Sequence, residues 1–124
     1  MDMKPIKDII REEIQNLNPY NFFRDKTAMT YYDNMLDTGG VGIEFMTPDE
    51  YIFEMVRAQG GAAIEQGLHG VQPQKLEKIL AGMKSGIKYD MPVIDYVDGF
   101  QEGRHRALAA KQLGAEKIPV AIRK

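Results

Sequence analysis

Residues 99–114 read GFQEGRHRALAAKQLG, and the interpretation of this stretch decides the fold. Gly103 is followed at once by Arg104, His105 and Arg106. A helical pattern then begins, with Ala107, Leu108, Ala110 and Leu113 available for packing and Gly114 as its stop. The first N–H groups of a helix lack an intrahelical partner, and the helix dipole adds partial positive charge there. Each cation at that end costs roughly a few tenths of a kcal/mol. Three in succession call for a compensating anion. It is either internal, drawn from Asp95, Asp98 and Glu102, or an external phosphate docked at the helix start. Gly103 has no side chain to hold a phosphate away from the backbone. Arg104 and Arg106 carry planar, bidentate donors, and His105 can donate a hydrogen bond or move a proton near neutral pH.

Working outward, QPQKLEKILAGMKSG (72–86) predicts a helix that starts at Pro73, packs through Leu76, Ile79, Leu80 and Met83, and stops at Gly86. MPVIDYV (91–97) predicts a strand, Asp98-Gly99 a turn, and FQE (100–102) a short return strand running into Gly103. KIPVAIR (117–123) predicts a final strand. Helix, strand, turn, strand, helix, strand is the order of a compact mixed α/β fold.

Toward the start, PIKDIIREEIQNL (5–17) has Ile6, Ile9, Ile10, Ile14 and Leu17 at amphipathic-helix spacing. Residues 21–40 allow a short helix ending at the Gly39-Gly40 pair or an aromatic-rich loop, and VGIEFM (41–46) predicts a short strand. TPDEYIFEMVRAQGG (47–61) predicts a helix with Thr47 as N-cap, Pro48 at its first position and Glu50 completing a capping box. AAIEQGLHGVQ (62–72) predicts a loop or a frayed short helix, either a connection or a mobile cover over a site.

At 124 residues the chain is expected to form a single domain, with residues 1–70 a helical extension packed on a core of 71–124. Hydrophobic residues make up 44% and charged residues 27%, and no apolar run approaches a membrane span. The opening residues are too charged for a secretory signal, so a cytoplasmic location without membrane contact is expected. The absence of cysteine rules out disulfides, thiolate catalysis and Cys-ligated zinc. Charge is uneven: residues 101–124 hold six Lys or Arg against two acids, and the remaining 100 hold ten against sixteen. A basic segment on an acidic body suggests a local anion site and argues against a broad nucleic-acid surface.

The stretch VQPQKLEKILAGMKSGIKYDMPVIDYVDGFQEGRHRALAAKQLGAEKIPVAIRK (71–124) resembles the core of the ParB/sulfiredoxin superfamily. The likeness runs in order: a P-x-x-L helix, a P-V-I strand, an Asp-Gly turn, a G-x-x-R box opening an alanine-rich helix that ends in L-G, and a closing I-P-V-x-I strand. It implies a compact mixed-sheet fold and a nucleotide-phosphate pocket at Gly103, Arg104, His105 and Arg106. It covers about residues 71–124. Sulfiredoxins carry Gly-Cys-His-Arg, with Arg104 here at the cysteine position, so sulfinic-acid reduction is not expected. ParB proteins carry Gly-Glu-Arg-Arg and bind and hydrolyse CTP; Arg104 and His105 depart from that pattern. ParB's helical DNA-binding domain is not expected here, since the sequence ends two residues after Ile122. Free-standing GRHRA boxes resemble phage and mobile-element domains labelled ParB-like nucleases.

The expected function is therefore binding of a nucleotide (ATP, ADP or CTP) or another phosphorylated ligand, with hydrolysis or phosphoryl transfer as a further possibility. Catalysis would call on Glu102 and His105, with Asp95 and Asp98 in support; Asp95, Asp98 and Glu102 are the carboxylates available to a Mg2+, and Glu102 either binds it, acts as general base or holds Arg104 or Arg106. His69 is the only other histidine, and no His-ligated metal is expected. Two alternatives stand beside this reading. One is a nucleic-acid-binding or nuclease domain that adds Lys111, Lys117, Arg123 and Lys124 to the box. The other is an accessory interaction module without activity, in which the arginines pair with Asp95, Asp98 or Glu102. A homodimer is compatible with each. The aromatics Tyr20, Phe22, Phe23, Tyr31 and Tyr32 either cover a ligand base or form a second small core.

Overall fold

The computed structural model describes residues 18–124, so the helix expected over 5–17 lies outside the described residues. In chain order the elements are β1 (Phe23–Thr27), α1 (Thr30–Thr38), β2 (Gly42–Met46), α2 (Pro48–Ala58), α3 (Ile64–Leu68), α4 (Pro73–Lys84), β3 (Tyr89–Met91), β4 (Val93–Asp95), β5 (Phe100–Glu102), α5 (Arg104–Gln112) and β6 (Ile118–Arg123). A four-stranded mixed sheet runs β2-β6-β4-β5, and a separate parallel pair joins β1 to β3. In the larger sheet β6 is antiparallel to β2 and parallel to β4, and β5 folds back on β4. The expected α/β class is met.

Alternation along the strands sorts side chains to two faces. Ile94, Ile118, Val120 and Ile122 face helices α2, α4 and α5, where they pack with Tyr51, Ile52, Met55, Ile79, Met83 and the alanines of α5. Val93 and Ala121 face the opposite way, onto Tyr32 of α1, Val41 and Met91. The small residues Ala107, Ala109 and Ala110 are fully buried, which lets α5 approach its neighbours closely.

Two expectations are corrected. Residues 18–70 are not only helical decoration: β2 is an edge of the main sheet, as the alternation over 41–46 indicates, and β1 is a strand the polar run FRDKT did not announce. It holds its place through its ends, with Phe23 and Thr27 buried and three exposed residues between. The single strand expected over 91–97 is broken at Pro92, which has no N–H for a ladder. Its carbonyl accepts from Ala121 N (2.9 Å), while β3 and β4 on either side join different sheets. The Thr47 capping box forms as expected, with Glu50 N donating to Thr47 Oγ1 at 3.0 Å and Thr47 N to Glu50 Oε1 at 3.3 Å.

Candidate anion site at the start of helix α5

Gly103 is the N-cap of α5, with φ of 127°, and no side chain caps the helix. A Cβ built there would lie 2.6 Å from Pro92 Cβ and 2.8 Å from Pro92 Cα. Glycine is therefore required twice, by its backbone conformation and by the proline against it. The first turn of α5 contains no acidic residue, so its leading N–H groups face no neighbouring carboxylate from their own turn.

The three side chains that follow are held differently. Arg106 grips both carboxylate oxygens of Glu102, Nη1 to Oε1 at 2.6 Å and Nη2 to Oε2 at 2.5 Å, and its Nε donates to the Asp90 carbonyl at 2.9 Å. Its side chain is only 14% exposed. Burial works against its charge, but the bond to Glu102 outweighs that and raises its pKa above the ordinary arginine value. His105 accepts at Nε2 from the Gln72 backbone N–H at 2.9 Å, so the neutral ring carries its proton on Nδ1. Burial lowers its pKa, as do the charges of Lys75, Arg104 and Arg106. Arg104 donates through Nη1 to the His69 carbonyl, and its Nε is buried with no partner among the described residues. Beside Arg104 lies a cavity of about 170 Å³ lined by Met55 and Val56 of α2, by Gln59 just after it, and by Gly61, Gln66 and Gly67.

Asp95 and Asp98 belong to a separate cluster. Asp95 is fully buried; Oδ2 accepts from Tyr32 Oη (2.8 Å) and Arg123 Nη1 (3.2 Å), and Oδ1 from Val97 N (2.9 Å) and Asp98 N (3.1 Å). Burial disfavours its charge, yet the bonds from Asp98 N, Tyr32, Arg123 and Val97 together hold its pKa below the usual carboxylate value. Arg123 also reaches Asp98 at 2.9 Å, and its own pKa is raised, chiefly by its hydrogen bond to Asp95. The three acids thus do not converge: Asp95 and Asp98 share Arg123, and Glu102 is taken by Arg106. No group of three His, Asp or Glu positioned for a metal occurs among the described residues.

Of the other basic residues, Lys111 pairs with Asp49 (2.7 Å) and Lys124 with Glu44 (2.9 Å). The aromatics disperse: Phe23 enters the main core, Tyr32 the second core, and Tyr20 packs edge-on against Phe45. None of them lines the cavity beside Arg104. A larger concavity, about 780 Å³, lies elsewhere, between β2 and α2 around Phe45, Phe53 and Tyr96. Its charges are spent locally, Glu54 on Arg57 and Tyr96 and Glu44 on Lys124, so it offers less chemistry than the smaller cavity. The sequence reading missed the roles of His69, Gly70 and Gln72. Their only signal was the GLHG glycine pair, which marks a loop but not what it touches.

A scan against protein-family models, a search of curated proteins and a search of solved structures find no match to this chain. No helix among the described residues is long and apolar enough to cross a membrane.

Proposed function

We propose that the protein binds a phosphorylated ligand at the start of α5, with Arg104 and the leading backbone N–H groups as the anion-binding elements. The observation that carries this reading is the buried, unpartnered Nε of Arg104, the first residue of an uncapped helix, whose side chain lines a cavity. A guanidinium donor without an acceptor is costly in a buried setting, and an oxyanion supplies the acceptor. The likeness of the box to ParB and sulfiredoxin phosphate pockets points the same way. Arg106, Glu102 and His105 then serve as positioning residues that fix the turn. A cavity of about 170 Å³ is smaller than the roughly 300–1,000 Å³ of small-molecule pockets, so it suits a phosphoryl end and leaves the rest of a nucleotide outside. Any Mg2+ would travel on the ligand's phosphates, since the nearby carboxylates are committed to arginines.

The second reading is an accessory interaction module without activity. It is favoured by the bidentate Glu102–Arg106 pair and the His105–Gln72 bond, which engage two of the three box side chains inside the fold. A nucleic-acid surface has less support, because Lys111, Arg123 and Lys124 already hold acids.

Thermal shift separates the readings. Inorganic phosphate, ATP, ADP, CTP, GTP and a short oligonucleotide are tested, with and without Mg2+, on wild type and Arg104→Ala. A ligand at 100 times its Kd adds about 2.7 kcal/mol to stability. Stabilisation of wild type and not of Arg104→Ala is the expected outcome. Full stabilisation of both would exclude Arg104 as the anion grip, and no shift with any compound favours the module.

A further inference from the structure

Residues 61–72 follow Gly60 (φ 85°), contain Gly70 (φ 79°) and carry the short helix α3. Gly61, Gln66 and Gly67 line the Arg104 cavity together with Met55 and Val56 of α2. The segment sits on α2 through Gly67, where a Cβ would come within 2.6 Å of Ile52 Cγ2 and 2.9 Å of Val56 Cγ2. It is joined to α5 by two bonds: Arg104 Nη1 to the His69 carbonyl, and Gln72 N–H to His105 Nε2 at 2.9 Å. Both α5 residues are box residues. Gly70 makes room for the first bond, since a Cβ there would lie 3.0 Å from Arg104 Nη1.

We propose that residues 61–72 are a lid over the Arg104 cavity, latched to helix α5 by Arg104 and His105 and released when either latch lets go. An anion that supplies the acceptor for Arg104 Nε and draws the guanidinium toward the cavity also takes Nη1 from the His69 carbonyl, so ligand entry and lid release are coupled; this part rests on the phosphate-binding reading. Protonation of His105 at Nε2 removes the acceptor from Gln72 N and releases the second latch. Burial, and the charges that bear on His105, Lys75 of α4 and its own neighbours Arg104 and Arg106, all cations, make this release need a lower pH than an ordinary histidine would.

Hydrogen exchange on the full chain, corrected for the intrinsic pH dependence of exchange, tests the lid. Amides of β4 and β6 in the same sample report global unfolding. At pH 7.5, His105→Ala should raise exchange at residues 61–72 by about tenfold over wild type, the equivalent of one hydrogen bond worth about 1.4 kcal/mol, with β4 and β6 unchanged. Acidification from pH 7.5 to 5 should do the same in wild type and have no further effect in His105→Ala. Gly70→Ala, which crowds Arg104, should open the same residues by the other latch. If neither variant nor acidification changes 61–72 relative to β4 and β6, the lid is overturned. Inorganic phosphate is then titrated. Phosphate that stabilises the protein without altering exchange at 69–72 overturns the coupling and leaves the site intact. Lid opening by His105→Ala with no phosphate binding upholds the lid and fails the ligand reading.

Discussion

Asp95 is a charge held entirely out of water, and four hydrogen bonds keep it ionised. Because its pKa is lower folded than unfolded, its contribution to stability is complete above the unfolded value of about 4 and lost as pH falls through the folded value. Asp95→Asn should lower stability at pH 7 by about 3 kcal/mol, because Arg123 and Tyr32 lose their charged acceptor. The variant should also lack the part of the acid-side decline that Asp95 causes. Urea denaturation at pH 7 and pH 3 checks both, the gap between the two proteins narrowing at pH 3. That Asp95 matters was legible from its place on a predicted strand. Its partners were not, since Tyr32 lies 63 residues earlier and only the folded sheet brings α1 across it. The same holds for Arg106. Glu102 stands one helical turn away and was a visible candidate, whereas the Asp90 carbonyl depends on where β3 ends.

At the scale of elements, local chemistry was readable and interruption was not. Thr47, Pro48 and Glu50 spell out the start of α2 within four residues, and the helix begins there. The glycine at 103 was read as room for a phosphate, but its nearest claim is Pro92. One proline thus separates β3 from β4 and packs against the turn that opens α5. Gly103→Ala must place a Cβ against that ring at a φ of 127°, so a loss of about 2–3 kcal/mol is expected. Circular dichroism melts should show it as a lower midpoint with an unchanged far-ultraviolet spectrum. An unchanged midpoint would mean that Pro92 yields freely. β1 was illegible for a different reason: three of its five residues are exposed and charged, so its pairing with β3 is a property of the partner strand.

For the whole molecule, class and chain order could be read from alternation and helical spacing, because those patterns report which face is buried. Strand order could not. It depends on pairings such as Gly42 with Ile122 and Phe23 with Tyr89, which no local pattern encodes. β6 sits between β2 and β4, and five of its six residues are buried. Ending the chain after Lys117 should therefore leave a polypeptide with no cooperative thermal transition, since the loss of a central strand exceeds a typical total stability of about 5–15 kcal/mol. A sharp melt in that truncated chain would show that β2 and β4 find another arrangement.

The central place of β6 also governs what happens while the chain is being made. A ribosome releases β2 some 70 residues before the strand that will hold it, and β1 more than 60 before β3. Helices α2 and α4 can form as they emerge, but with no sheet to cover their apolar faces stay open to other proteins. Nascent chains of this protein should therefore engage holdase chaperones until residues 118–123 clear the exit tunnel, and only then should the domain close in one step.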